Sequence, residues 1–278
     1  MSPVVPDGVA AYGSEQHARM GFFTDTSVCI GCKACEVACK EWNRVPEHGL
    51  GFTAQSYDNT GALDANTWRH VAFIEQTKPV QVPGEADGDM RWLMSSDVCK
   101  HCTHAACLDV CPTGALFRTE YGTVVVQEDV CNGCGYCVPA CPFGVLDRRE
   151  IGDDGRVWKC TLCYDRLGDG LTPACAQACP TESIQFGQLT ELRQRAEGRV
   201  QELQAEGQTE ARLYGHDEGD GVGGFGAFFL LLDEPDVYGL PPDPVVTTRD
   251  LPQMWKAAAV SAGAMLLGIA AAMVGGRR

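Results

Sequence analysis

The stretch CIGCKACEVAC (29–39) decides the fold of this 278-residue chain, and CNGCGYCVPACP (131–142) repeats its spacing. Both place four cysteines in the pattern C-x2-C-x2-C-x3-C. Three thiolates on one tight loop can reach three iron atoms of a single [4Fe–4S] cube, and the fourth faces away toward a neighbouring cube. This spacing predicts [4Fe–4S] clusters whose fourth ligands are exchanged between motifs.

Two further motifs keep the outer spacings and lengthen the middle one. Residues 99–111 read C-x2-C-x4-C-x3-C, residues 160–179 read C-x2-C-x11-C-x3-C, and proline follows each. The four motifs use all sixteen cysteines of the chain, so no thiol is left over. We therefore predict four [4Fe–4S] clusters.

Zinc and disulfides explain the cysteines less well. A zinc site with four cysteine ligands is built from two C-x2-C pairs, which leaves the third cysteine of the first and third motifs without a role. Three cysteines spaced two residues apart cannot all find well-oriented disulfide partners. His101 and His104 lie inside the second motif. Because four thiolates are available for each cube, we predict that these histidines are neighbours of a cluster or loop residues rather than ligands.

Basic residues flank the cysteine motifs. Such charges either raise cluster potentials by stabilising the reduced state or are ordinary solvated charges, and both interpretations stay open. They are Lys100, Arg148, Arg149, Lys159 and Arg166.

The chain is acidic, with a formal net charge of −15 and no basic patch. Nucleic acid and anionic lipid require clustered Lys and Arg, so we expect no nucleic acid partner. The sequence shows no nucleophile–base pair, P-loop or dinucleotide fingerprint, and GVGG (221–224) is predicted to be a loop. We expect no catalytic site of its own in this chain.

Composition divides the chain into four predicted regions. They are a polar N-terminal arm (1–20), a cluster domain (21–187) with a hairpin insertion at about residues 60–95, a helix and extended segment that pack on the cluster domain or on a partner (188–250), and a single anchor (251–278).

Local patterns predict several elements. Apolar runs at 68–74 and 91–94 around the turn-rich KPVQVPGEADGD (78–89) predict the hairpin, and a second short pairing is predicted around 123–127. Apolar residues at three- and four-residue steps from Leu189 to Leu203 predict an amphipathic helix.

Two segments are predicted after that helix. A strand is expected over 225–232. The prolines of YGLPPDP (238–244) exclude helix, so this stretch is expected to be extended.

Residues 257–276 form an uncharged run of twenty residues, long enough for a helix that spans a bilayer. The run is rich in alanine and glycine, and small residues four apart, such as Ala264 and Gly268, allow close helix packing. We predict a single transmembrane anchor packed against another membrane subunit. The alternative is a buried alanine-rich helix of a soluble domain.

With these motifs the sequence resembles the iron–sulfur (beta) subunits of respiratory membrane-bound formate dehydrogenases, within the four-cluster ferredoxin-type subunits of molybdopterin oxidoreductases. The likeness covers residues 20–276. It rests on the cysteine motifs and on further stretches: KCTLCYDR (159–166), DTSVCIGCKACEVACKEWN (25–43), CGYCVPACPFG (134–144), EGDGVGG (218–224), YGLPPDP (238–244) and the Trp255–Lys256 pair. It implies an α+β fold of two pseudo-symmetric bacterial-ferredoxin-like modules plus one C-terminal transmembrane helix.

The resemblance also implies the ligands of the four clusters. They would be Cys29, Cys32, Cys35 and Cys179 for cluster 1; Cys39, Cys160, Cys163 and Cys175 for cluster 2; Cys99, Cys102, Cys107 and Cys141 for cluster 3; and Cys111, Cys131, Cys134 and Cys137 for cluster 4.

The family further implies partners and a location. Electrons would enter at cluster 1 from a molybdopterin-containing catalytic subunit with molybdenum or tungsten, and would leave cluster 4 for a membrane cytochrome b subunit that reduces quinone. The cluster domain would lie on the extracytoplasmic face of the cell membrane, with the cytoplasmic face as the alternative. Two other functions stay open: the equivalent subunit of a polysulfide, thiosulfate or hydrogenase complex, and a soluble polyferredoxin.

Overall fold

The computed structural model describes residues 17–47, 57–76, 91–150, 154–246 and 248–275. Most of the predicted N-terminal arm and the turn at 78–89 lie outside these residues. The described strands are β1 (Met20–Asp25), β2 (Arg69–Gln76), β3 (Arg91–Val98), β4 (Leu116–Arg118), β5 (Val124–Val126), β6 (Asp147–Arg148), β7 (Val157–Trp158), β8 (Ile184–Gln188), β9 (Arg212–Tyr214) and β10 (Ala227–Leu231). The described helices are α1 (Ala34–Asn43), α2 (Ala106–Asp109), α3 (Cys137–Ala140), α4 (Tyr164–Gly168), α5 (Ala174–Gln177), α6 (Leu189–Ala205) and α7 (Leu251–Gly275).

A four-stranded sheet in the order β8-β1-β10-β9 supports the cluster motifs. Strand β1 pairs antiparallel with β8 and parallel with β10, although about two hundred residues separate β1 and β10 in sequence. All five residues of β10 are buried, because the strand is central and covered on both faces. Helix α6 covers one face and buries Leu189, Leu192 and Ala196, as its periodicity predicts.

The cysteine motifs form two modules of similar construction. In one module α1 packs against α5, and in the other α2 packs against α3. Strand β4 contacts α2 of the second module, whereas β8 contacts α5 of the first. The α+β fold with two ferredoxin-like modules is therefore present.

The predicted hairpin insertion is confirmed as an antiparallel pair of β2 and β3. It packs against the first cysteine loop: a Cβ atom at Gly31 would lie 2.7 Å from the ring of Phe73 and 2.8 Å from the sulfur of Met94. The second predicted pairing is also confirmed, as β4–β5.

The segment YGLPPDP differs from its prediction at the first two residues. Tyr238 ends a 3-10 turn that begins at Pro235, and Gly239 has a left-handed φ of +70°. The turn forms because Pro235 occupies the first turn, where its missing N–H costs no hydrogen bond. The Tyr238 hydroxyl then accepts a hydrogen bond from the N–H of Leu232 at 3.1 Å.

Helix α7 is long and apolar, and it makes little contact with the rest of the chain. Residues Gln253–Val274 are long and apolar enough to cross a membrane, and none of this stretch is buried inside the protein. Its large side chains are exposed, and those of Trp255, Leu267 and Val274 are more than two-thirds exposed. The alternative of a helix buried in this chain's own core is therefore wrong.

Candidate metal centres

The loops between the first two cysteines of the motifs share one backbone feature. The residue just before the second cysteine has a positive φ in all four motifs: Gly31, His101, Gly133 and Leu162. This left-handed turn reverses the chain within one residue, so that a short loop can wrap around a cube. His101 and Leu162 adopt it without being glycine, and both are buried. In the fourth motif the N–H of Leu162 donates to Cys160 Sγ at 3.3 Å.

The third and fourth cysteines of each motif lie on or beside a short helix. The spacing of four residues separates them by one turn, about 6 Å along the axis, so that they can reach two neighbouring cubes. These pairs are Cys35 and Cys39 with α1, Cys107 and Cys111 with α2, Cys137 and Cys141 with α3, and Cys175 and Cys179 with α5.

The structure brings the sixteen thiols together in four sets. Two of the sets each line a cavity, set 1 beside Val71 and Ser96 of the hairpin insertion and set 3 beside His101 and Val124. Set 1 is Cys29, Cys32, Cys35 and Cys179. Set 3 is Cys99, Cys102, Cys107 and Cys141.

The other two sets are recognised by the mutual influence of their thiols. Burial raises the pKa of Cys39 well above its usual range, and the thiolates of Cys160, Cys175 and Cys163 raise it further; these four residues are set 2. Burial likewise raises the pKa of Cys137 to about 11, against its own backbone hydrogen bond, and the thiolates of Cys111, Cys131 and Cys134 add to the effect; these four are set 4.

Thiols of neighbouring sets influence one another's pKa in a fixed order. Burial raises the pKa of Cys35, and among its thiolate neighbours is Cys175, which joins sets 1 and 2. Burial raises the pKa of Cys160 to about 12, with the Cys99 thiolate of set 3 next in influence. Burial also raises the pKa of Cys107 to about 12, and Cys137 of set 4 contributes. The sets therefore follow one another as 1, 2, 3 and 4.

The donor atoms suit polynuclear clusters. The four thiols of set 2 are buried and crowded, so they would stay protonated without a cation, because desolvation and mutual repulsion both oppose ionisation. Iron can replace those protons, since thiolate is the normal ligand of an iron–sulfur cube. Among the described residues, which include every cysteine, no three His, Cys, Asp or Glu side chains are arranged to hold a single metal ion. The thiols of sets 1 and 3 each line a cavity rather than converging on a point, which favours a cube over zinc.

Polar side chains hydrogen-bond the thiol sulfurs. The Asn43 amide lies 3.7 Å from Cys39 Sγ and 3.9 Å from Cys163 Sγ. A Cys-Pro-Thr sequence places a threonine hydroxyl 3.7 Å from Cys111 Sγ, and its repeat places Thr181 Oγ1 3.8 Å from Cys179 Sγ. Hydrogen bonds to cluster sulfur raise the reduction potential, so these contacts are suited to tuning.

The basic residues singled out from the sequence divide into two kinds. Lys100, Lys159 and Arg166 are buried, so the interpretation as solvated charges is wrong for them. Lys100 forms an ion pair with Asp97 and lies over the ring of Phe229. Arg148 and Arg149, by contrast, are not buried: Arg148 is exposed and Arg149 is half-buried.

Both histidines of the second motif line the cavity of set 3. His101 Nδ1 accepts a hydrogen bond from the N–H of Val124 at 3.1 Å. Burial, followed by the charge of Lys159, lowers the pKa of His101 well below its usual range, so the ring is neutral. His104 packs against Gly223, whose Cβ position lies 2.5 Å from the imidazole ring.

Sequence reasoning missed Arg69, a fully buried guanidinium at the start of β2. The charges that act on it most strongly are those of Cys175, Cys35, Cys160 and Cys39. The available signal was an arginine inside the predicted strand at 68–74, because charged residues are seldom buried without a partner.

The motifs, the modules and the thiol sets define a protein of the four-cluster ferredoxin class. Two matches to the family described as "4Fe-4S dicluster domain" cover residues 28–115 and 90–189. Two diclusters hold four [4Fe–4S] clusters, and the chain is an electron-transfer protein.

Similar individual proteins show to which branch of this class the chain belongs. The chain is 40% identical over 245 residues to the nitrate-inducible formate dehydrogenase iron–sulfur subunit of Escherichia coli K12, which covers 87% of this chain and 78% of the relative. It is 40% identical over 252 residues to the formate dehydrogenase iron–sulfur subunit of Haemophilus influenzae, at 87% and 76% coverage. The B subunit of the anaerobic dimethyl sulfoxide reductase of E. coli K12 is 37% identical over 178 residues, at 64% and 77% coverage. The chain belongs to the family of formate dehydrogenase iron–sulfur subunits.

Proposed function

We propose that this chain carries electrons from a formate-oxidising molybdenum or tungsten subunit, through four [4Fe–4S] clusters, to a membrane cytochrome b subunit that reduces quinone. Sets 1 to 4 hold clusters 1 to 4. Each cluster supplies a one-electron redox change when bound. The chain's own residues hold the clusters in order, keep water from the inner ones and contribute no bond-making step.

The observation that carries this proposal is the exposure of the two ends. Cys32 of set 1 and Cys134 of set 4 are exposed, whereas all four thiols of set 2 are buried. The electrostatic influence of one thiol set on the next runs in the order 1, 2, 3, 4. A path that is open at both ends and insulated between them suits transfer between two partner proteins better than a single docking point.

Apolar side chains surround both exposed ends. Ile30 and Val37 lie within the first motif and are each about 60% exposed, and Tyr136, two residues after Cys134, is 64% exposed. Exposed apolar residues at two separate points support two protein partners. We assign the catalytic subunit to the end at cluster 1 and the membrane subunit to the end at cluster 4.

Formate is favoured over other substrates of this superfamily by the extent of similarity. The formate dehydrogenase relatives match 87% of the chain, whereas the dimethyl sulfoxide reductase relative matches 64%. The additional matched length must include residues outside the clusters, which are the residues that would contact family-specific partners.

Helix α7 supports a location at the cell membrane. Its apolar and unburied surface would be stable in lipid or against another membrane helix. We propose that α7 is a single-pass anchor beside the cytochrome b subunit. The cluster domain would lie on the extracytoplasmic side, and the cytoplasmic side is the alternative.

The test is anaerobic purification of the tagged chain from membranes, followed by addition of formate. We expect a molybdopterin subunit and a haem b subunit to co-purify, and formate to reduce the clusters, as seen by electron paramagnetic resonance. Clusters that are reduced by hydrogen, or oxidised by polysulfide or thiosulfate, and that do not respond to formate would favour the alternative complexes. A chain recovered alone from the soluble fraction would favour a mobile polyferredoxin.

A further inference from the structure

Arg69 is buried in the wall between thiol sets 1 and 2, with only 2% of its surface exposed. Its Nη1 donates to the Ser96 carbonyl at 3.3 Å and to Ser96 Oγ at 3.0 Å. The guanidinium carbon lies 5.0 Å from the centre of the Phe22 ring. These contacts fix the plane of the guanidinium, so the directions of its other N–H groups are fixed as well.

Two nitrogens of this guanidinium are buried without a hydrogen-bond acceptor. Nε and Nη2 have no partner among the described residues. A guanidinium carries five N–H donors and stays protonated, so donors left unpaired in a buried place are strongly unfavourable. Something that is acidic or electron-rich must therefore face them in the functional protein.

The neighbouring negative charges come from both thiol sets. They are the thiolates of Cys35 in set 1 and of Cys175, Cys160 and Cys39 in set 2. Ser96 provides a direct link to set 1, because its Oγ atom accepts from Arg69 and also lies 3.3 Å from Cys35 Sγ. Arg69 is thus the cation shared by two adjacent clusters rather than the partner of one.

We propose that Arg69 compensates the charge of clusters 1 and 2 together, with Nε and Nη2 donating toward their sulfur atoms. This inference rests on the proposed assignment of sets 1 and 2 to those clusters. An electron that reaches either cluster adds one negative charge, and the fixed guanidinium stabilises that reduced state. Because the cation lies near both clusters, moving the electron from one to the other changes its interaction with Arg69 little. No proton moves, since arginine is not deprotonated in proteins.

The two buried lysines of the cysteine motifs are satisfied differently. Lys100 has Asp97 as its counter-charge and also donates to the Val98 carbonyl. Lys159 donates to the carbonyls of Val124 and Cys160. Arg69 differs from both, because two of its donor nitrogens have no acceptor within the described part of the chain.

Potentiometric titration of the purified complex tests this role. Arg69→Met and Arg69→Gln remove the charge, Arg69→Lys retains it, and Arg199→Met removes a partly exposed charge that pairs with Asp25 and Glu202. We expect two of the four cluster signals to move to more negative potentials in both neutral variants. The shift should exceed a tenfold fall in the reduced-to-oxidised ratio at a fixed potential, which is about 59 mV for a one-electron couple. Arg69→Lys should recover most of the shift, and Arg199→Met should change none of the potentials.

Three results would overturn the inference. They are four unshifted signals in either neutral variant, a shift in Arg69→Lys as large as in Arg69→Met, and loss of iron from all four clusters alike in the neutral variants. These potentials belong to the chain's own clusters and do not depend on which substrate feeds them. Absence of four cluster signals in the unchanged chain would instead contradict the proposed function.

Discussion

The N–H of Val124 donates a hydrogen bond to Nδ1 of His101 at 3.1 Å. Through it, strand β5 holds the cysteine loop of set 3 in its left-handed conformation, in which His101 has a φ of +46°. The His101 side chain therefore supplies the hydrogen-bond acceptor for the N–H of Val124 that the backbone does not provide at this point.

Removing this acceptor should destabilise the loop. In His101→Ala the buried N–H of Val124 loses its partner, at a cost of about 1–3 kcal/mol. We expect faster bleaching of the visible cluster absorbance in guanidinium chloride. His216→Ala is the matched control, because that half-buried ring has an Nδ1 atom without a partner among the described residues. Equal bleaching rates for the two variants would mean that the bond to Val124 contributes little.

The loop at 221–224 should be intolerant of a side chain at Gly223. Its φ is +74°, and a Cβ atom would lie 2.5 Å from the His104 ring and 3.1 Å from Thr103 Cβ. Gly223→Ala should displace the cysteine loop of set 3 and lower the iron content by about one cluster in four. Gly239→Ala has a similar φ of +70° but no atom within 4 Å of its Cβ position. That control therefore carries the backbone strain alone, about 1–2 kcal/mol, and should keep its iron.

The metal content follows from the four motifs, which use all sixteen cysteines of the chain. Anaerobically purified chain should contain about sixteen iron atoms and about sixteen acid-labile sulfides, four of each for every cube. Elemental analysis together with a sulfide assay measures both quantities. Stoichiometric zinc with little sulfide would contradict the assignment of cubes.

Truncation after Pro252 should release the cluster domain from the membrane, because it removes almost all of α7. Membrane fractionation after a high-salt wash measures this, and a truncated chain that stays with the membrane would contradict the anchor.

Gly268→Leu tests the packing of α7 separately from its insertion. The Cβ position at Gly268 is open, so the helix itself should tolerate leucine, while attachment to the membrane subunit should weaken. Ala270→Leu is the size-matched control, since a residue two positions on lies on the opposite side of the helix. Co-purification of the haem subunit distinguishes the two variants.

The direction of electron flow can be tested at the exposed cysteine of set 4. Serine is a poorer iron ligand than cysteine, so Cys134→Ser should damage or lose cluster 4 and spare cluster 1. Formate oxidation with a small soluble dye should persist, because the dye can take electrons upstream, whereas quinone reduction should fall sharply. Cys32→Ser should abolish quinone reduction, and it should also abolish reduction of any dye that accepts its electrons from this chain. If assembly is intact, quinone reduction at the unchanged rate in Cys134→Ser would contradict the proposed path.

The local elements could be predicted from the sequence, because each depends on residues close together in the chain. The cysteine spacing, the hairpin β2–β3 and the stripe of leucines on α6 are of this kind. The position of β10 beside β1 depends on two segments about two hundred residues apart, and nothing in either strand encodes its neighbour. The burial of Arg69 likewise follows from thiols in distant motifs, so its role appears only when the chain is folded.

The uneven burial of the thiols also bears on how the protein is damaged by air. Cys32 and Cys134 are exposed, and the four thiols of set 2 are buried. Oxidants reach accessible sulfur and iron first, as they do for exposed thiolates in general. Under the proposed assignment, we expect damage by oxygen to begin at the two terminal clusters and to cut the connections to the two proposed partners, while the interior still holds its iron.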